Sequence, residues 1–241
     1  MIALNYHELV EATPSNAWCL THAAFDAHLA LCGERLVSPQ SFLEHCADRK
    51  ASRTDAVLLT FDDGFLSDYT HVYARYVTTG RIPGFMSFIP VDFVGSPGRM
   101  SWEMIEELGR AGVAIGSHGM AHVDLTKVSD VELYRELTVS KSMLENRLGQ
   151  QVTLFAFPYG RFSRRVWEAA LKVGYTHLFT IHLGYHRGFE SFLYSRLCLT
   201  NNMDAKYMRQ HLIDPDAMRG FAWRISTKLG LYRQLMRLRY R

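Results

Sequence analysis

Along the chain, short runs of β-branched and aromatic residues alternate with longer stretches whose apolar residues recur every three to four positions. The short runs are Ile2 to Asn5, Val57 to Phe61, Gly84 to Ile89, Val113 to Gly116, Thr153 to Phe157, His177 to Thr180 and Phe192 to Leu199. Each predicts a strand. Between them, helices are predicted over Phe25 to Leu31, Pro39 to Cys46, Ser67 to Tyr76, Ser101 to Arg110, Asp130 to Leu148, Ser163 to Lys172 and Asp204 to Leu212. The longest has the clearest bounds, with Ser129 as cap, Asp130 and Glu132 in its first turn, and Gly149 just past its last leucine. Strand and helix in alternation predict an α/β fold around a parallel sheet.

In such folds the carboxyl ends of the strands form one functional face. Asp62 and Asp63, His118 and Tyr159 each follow a predicted strand, and His7 follows the first. Residues far apart in the sequence are thereby expected on one rim.

Composition narrows the class without changing this picture. At 241 residues, 48% hydrophobic and 21% charged, with no low-complexity tract or internal repeat, the chain is expected to form one enzyme-sized domain. Cys19, Cys32, Cys46 and Cys198 form no CxxC pair and read as buried thiols in a reducing compartment. The start, Met1 to His7, lacks a basic and then apolar leader, and no run reaches the roughly 18 apolar residues of a membrane span. A cytoplasmic location is the expectation.

The net charge of +3 hides an asymmetry. Residues 217–241 carry seven basic side chains and no acid, which leaves 20 basic against 24 acidic residues elsewhere. Phe221, Ile225, Leu229, Tyr232 and Met236 fall on one helical stripe. The expected division is a barrel body at 1–216 and a basic amphipathic helix at 217–241. That helix either packs on the body with a solvated basic face, or makes peripheral contact with an anionic membrane or a lipid-linked substrate. No nucleic-acid partner is expected.

The chemistry concentrates in three patches. In Leu58-Leu59-Thr60-Phe61-Asp62-Asp63-Gly64 an apolar run breaks into two adjacent acids, which point in different directions and need not share one role. An N-cap of the following helix would explain one acid at most. An aspartate-based phosphotransfer site would need Asp-x-Asp after the strand, whereas this run is Asp62, Asp63 and then Gly64. In His118-Gly119-Met120-Ala121-His122 the imidazoles stand four apart, so one turn or compact loop brings both to a single ion. One carboxylate and two imidazoles make the ligand set of a catalytic metal with an open position, and the second carboxylate is a candidate base. The third patch, Phe155-Ala156-Phe157-Pro158-Tyr159-Gly160, ends an apolar run in a turn that could aim a backbone N–H at a pocket walled by Tyr159.

In order and spacing these patches resemble the first three motifs of the polysaccharide deacetylases, the NodB-homology or carbohydrate esterase 4 family. The resemblance runs from about Val57 to Tyr175 and takes in Ser101-Trp102 and the helix from Glu136 to Leu148. It implies a distorted (β/α)7 TIM-like barrel with a divalent metal on Asp63, His118 and His122, usually zinc, although such a site also accepts cobalt, nickel or iron. It further implies Asp62 as the general base, and an oxyanion held by the metal and the backbone N–H of Tyr159. Pro158 and Tyr159 would border the substrate, and Trp102 is either a stacking surface for a sugar ring or an ordinary core tryptophan.

Three departures from the pattern stand out. Ala156 occupies the place of an arginine that clamps the catalytic aspartate, a role open to Arg196. Gly119 replaces a serine or threonine between the histidines, which removes a loop hydrogen bond. No late acid histidine stands in a motif, His182, His186 and His211 being the candidates. Leu4-Asn5-Tyr6-His7-Glu8-Leu9, however, resembles the opening strand of the circularly permuted branch, which includes biofilm poly-N-acetylglucosamine deacetylases. That makes His7 the acid for the departing amine. The expected function is metal-dependent removal of an N-acetyl group, as acetate, from an amino sugar in a bacterial surface polysaccharide or its lipid-linked precursor, in the cytoplasm or peripheral to the inner membrane. A deformylase or other sugar amidase, and a silent glycan-binding barrel, are the alternatives.

Overall fold

The structure, a computed structural model, describes residues 1–47, 56–181 and 193–209. The strands are β1 (Ile2–Tyr6), β2 (Leu9–Val10), β3 (Leu20–Thr21), β4 (Val57–Asp62), β5 (Met86–Ile89), β6 (Ala114–Ser117), β7 (Leu154–Ala156), β8 (His177–Thr180) and β9 (Leu193–Cys198). Seven of them are parallel and close into a barrel in the order β1-β4-β5-β6-β7-β8-β9, while β2 and β3 pair separately. All seven predicted strands are therefore present, within a residue or two at their ends. Closure depends on β1, which lies between β4, with Leu4 opposite Leu59, and β9, with Ala3 opposite Arg196.

Alternation along the strands divides the core. Leu58, Met86, Phe88, Leu154, Ala156 and Phe179 form the cluster that fills the barrel. Leu59, Phe61, Ile89 and Phe155 belong to the larger cluster beneath the helices. Gly116 in β6 lets the filling close, because a Cβ there would lie 2.5 Å from the Phe88 ring.

Outside the barrel lie α1 (His22–Cys32), α2 (Pro39–Ala47), a π-helical segment Asp68–Val77, α3 (Trp102–Arg110), α4 (Asp130–Leu148), α5 (Arg164–Val173) and α6 (Ala205–Met208). The caps follow the sequence: the Ser129 hydroxyl accepts from Glu132 N–H at 3.2 Å, and Gly149 ends α4 at φ 66°. One element departs from the expected α-helix. Between Ser67 and Tyr76 the bonding runs five residues back, as where Thr78 N–H meets Tyr73 C=O, and it buries Asp68, His71, Val72 and Tyr76 together.

The four cysteines are free, but only Cys19 and Cys32 are buried; Cys46 and Cys198 are half-buried. Among the described residues no helix is long and apolar enough to cross a membrane. The basic segment 217–241 and the histidines at 182, 186 and 211 lie outside the described residues.

Candidate metal and catalytic site

The inward-facing set of the strands changes character toward their carboxyl ends. Above Phe88 and Phe179 come Asn5 of β1, Thr60 and Asp62 of β4, and Arg196 of β9, all buried. Arg196 grips Asp62 with both guanidinium nitrogens, Nη1 to Oδ1 at 2.6 Å and Nη2 to Oδ2 at 2.8 Å, and Asn5 donates to Oδ2 at 3.0 Å. Burial alone would raise the Asp62 pKa. The Arg196 guanidinium, by its charge and its hydrogen bonds, outweighs it and holds the carboxyl well below the usual carboxylate range.

One residue on, the backbone leaves the strand. Asp63 adopts φ 72° and Gly64 φ 63°, so the second carboxylate turns out of the barrel axis toward the loops. Arg99 donates to the Asp63 carbonyl at 2.8 Å while its guanidinium lies 3.5 Å from the Phe65 ring centroid. This pins a conformation that is uncommon for a residue with a Cβ.

His118 stands just past β6. Its Nδ1 is engaged by the Ala156 carbonyl at 2.7 Å, which leaves Nε2 aimed at the acids, 3.8 Å from Asp62 Oδ2 and 3.8 Å from Asp63 Oδ1. His122 Nε2 lies 3.3 Å from the same Asp63 oxygen. Burial lowers the His118 pKa against the pull of both acids, which favours the neutral imidazole that a metal ligand requires.

These residues fit a divalent ion. Donor atoms of Asp63, His118 and His122 all lie within 4.8 Å of one another, and Asp63 Oδ1 is buried without a hydrogen bond. An orphaned carboxylate oxygen between two imidazole nitrogens is the arrangement that a cation would complete.

One aromatic side chain borders the triad and a second flanks His7. The Tyr159 ring is 4.6 Å from that of His122 and half exposed, on a backbone at φ 58° that Pro158 precedes. Gly160 allows this turn, since a Cβ there would come within 2.3 Å of Ile181. The His7 ring lies 5.7 Å from that of Trp18, a residue 46% exposed. Burial lowers the His7 pKa while Asp62 and Asp63 raise it, and its Nδ1 has no hydrogen-bond partner. Trp102 is placed elsewhere. It begins α3 in the helix layer, where its ring packs on the core and the Arg147 guanidinium lies 5.1 Å from its centroid.

Trp18, Asn5 and Glu136 escaped the sequence reading. Asn5 carried a faint signal as a polar residue within an apolar strand, and Glu136 as an acid on the buried face of α4. Trp18 carried none.

The family described as polysaccharide deacetylase matches residues 49–178. YxkH of Bacillus subtilis (strain 168), named for polysaccharide deacetylases, is 27% identical over 179 residues, 71% of this chain and 61% of YxkH. The peptidoglycan-N-acetylglucosamine deacetylase PgdA of Listeria monocytogenes serotype 1/2a (strain 10403S) is 27% identical over 119 residues, 49% of this chain and 24% of PgdA. The chain thus spans less than two thirds of the length of these curated relatives. Among solved structures, Streptococcus pyogenes deacetylase PplD in complex with acetate superposes with a TM-score of 0.75 at 21% identity, covering 89% of this chain and 98% of PplD. IcaB from Ammonifex degensii gives 0.73 at 24%, covering 86% and 94%. These likenesses establish the (β/α)7 barrel.

Proposed function

This chain belongs to the polysaccharide deacetylase family, and we propose that it hydrolyses the N-acetyl group of an amino sugar in a bacterial surface glycan or its lipid-linked precursor, releasing acetate. One observation carries the reading: the Asp63, His118 and His122 donors converge beside a second carboxylate, Asp62, held as an anion by Arg196. Asp63, His118 and His122 would hold a divalent metal, zinc being the ion proposed among those such a donor set accepts. Bound there, the metal supplies Lewis-acid polarisation and positive charge for the amide oxygen.

The remaining work falls to the protein. Asp62 stays ionised across the physiological range, so it accepts a hydrogen bond from the attacking water and takes its proton as the new C–O bond forms. The same clamp makes it a weak base, and its strength lies in being fixed by three donated bonds. His7, beside Trp18, protonates the departing amine; burial outweighs the fields of Asp62 and Asp63 and lowers its pKa, which makes its protonated form a ready proton donor. Tyr159 and Trp18 give the sugar two aromatic walls, and Pro158 fixes the Tyr159 turn. Arg196 fills in space the role that Ala156 leaves empty in sequence, which disfavours a silent barrel. The charge of segment 217–241 supports peripheral contact with an anionic membrane on the cytoplasmic side, where lipid-linked precursors lie.

The test is a mass-spectrometric screen of N-acetylated nucleotide sugars, lipid-linked sugars and oligosaccharides for acetyl loss, with acetate and formate measured separately. About one divalent ion per chain is expected, and loss of that ion in Asp63→Ala and His118→Ala. Unchanged metal content in both variants rejects the site. His7→Ala should keep its metal and lose roughly 100-fold or more in turnover; near wild-type turnover removes His7 from the mechanism.

A further inference from the structure

We propose that Glu136 is a positioning residue for the metal-binding loop: from α4 its carboxylate fixes the backbone between His118 and His122, and so sets where both imidazoles present their nitrogens. The proposal rests on the reading of Asp63, His118 and His122 as a metal site.

Glu136 is 2% exposed on the buried face of α4. Its Oε2 accepts from Met120 N–H at 2.8 Å and from Ala121 N–H at 3.2 Å, with Oε1 at 3.4 Å from the latter. Two successive peptide N–H groups thus converge on one carboxylate, a charge-assisted arrangement. The opposite edge of the loop is held as well, since Val91 N–H donates to Gly119 C=O at 3.1 Å and Asp92 N–H to Met120 C=O at 3.0 Å. Between these two braces the chain reaches His122 at φ 55°, a conformation that a histidine keeps only where its surroundings impose it.

Gly119 belongs to the same device. A Cβ at this position would lie 2.9 Å from Glu136 Oε2, on a backbone already at φ 81°. Where the family pattern places a hydroxyl beside the first histidine, this chain leaves room for a carboxylate arriving from a distant helix. That helix is in turn tied to the strand that leads into His118: Ser117 Oγ donates to Ser140 Oγ at 2.9 Å. Loop, β6 and α4 form one hydrogen-bonded frame around the ligands.

The experiment titrates the metal-stripped, full-length protein with zinc against a competing chelating dye. Outer partners of metal ligands commonly change affinity by about 10- to 100-fold, and Glu136→Ala should weaken zinc binding within that range. Glu136→Gln keeps an acceptor oxygen for the two N–H groups and should recover most of it. Leu144→Ala, on the buried face of the same helix, should lower the melting temperature without moving the zinc affinity. Gly119→Ser should weaken zinc, and by less in the Glu136→Ala background, where the Cβ no longer meets a carboxylate and only the strain at φ 81° remains. Zinc binding by Glu136→Ala equal to wild type, or an equal loss in Leu144→Ala, overturns the positioning role alone. A wild-type protein that takes up no zinc overturns the metal reading and this proposal with it.

Discussion

At the residue scale, the buried pair of Arg196 and Asp62 decides both chemistry and stability. Neither side chain is solvated, so removing one partner strands the other's charge, a loss of about 3 kcal/mol. Arg196→Met is therefore expected to lower the urea midpoint of metal-stripped protein, and the double variant Arg196→Met, Asp62→Asn to recover much of that loss. A double variant as unstable as the sum of the two singles would show that the pair is not coupled. The acids and histidines of this site were legible in the sequence because each motif packs its functional residues within a few positions after a strand. Arg196, Asn5 and Glu136 were harder to read, since their partners lie 134, 57 and 16 positions away. Trp102 shows the converse: a large aromatic beside a motif suggests a binding surface, but only the packing of α3 against α4 decides which way its ring goes.

At the scale of elements, the contact of α1 with the π-helical segment contains a titratable weak point. His71 is buried, stacked 3.5 Å from the His22 ring, with its Nε2 lacking a hydrogen bond and 3.9 Å from Asp26. Burial, with His22 adding to it, lowers the His71 pKa to about 4. A histidine whose folded pKa lies below its unfolded value of about 6.5 binds its proton more readily when unfolded. Stability is thus complete above about pH 6.5 and declines as the pH falls toward 4, by about 3 kcal/mol from this group. Urea unfolding at pH 7 and pH 4.5 should show a smaller acid loss in His71→Leu than in wild type; equal losses would place the sensitivity elsewhere. The apolar periodicity located this element, whereas its five-residue bonding was not legible, because hydrogen-bond register leaves no mark of its own in a pattern of buried positions.

At the scale of the whole molecule, the barrel needs strands from both sides of the segment that carries the family match. Residues 49–178 hold β4 to β7 and half of β8, but β1 and β9 lie outside them. A fragment of residues 49–178 would present two open parallel edges and an Asp62 without Arg196 or Asn5. It is expected to unfold without a cooperative transition and to bind no zinc, measured by circular dichroism and by dye competition; a cooperative, zinc-binding fragment would refute the closure argument. The seven strands themselves could be read from their β-rich runs, but their closing into a ring came through family likeness, since alternation shows which residues are buried and not which strand is neighbour to which.

The seam between β1 and β9 also has a meaning in time. A ribosome makes Asp62 early and Arg196 late, and only the ring's last strand brings them together. Until β9 emerges, the nascent chain has its ligands and its base in sequence but no pocket to hold them. The clamp on Asp62 is thus a product of late synthesis, and a chain terminated before Arg196 leaves that carboxylate without its guanidinium.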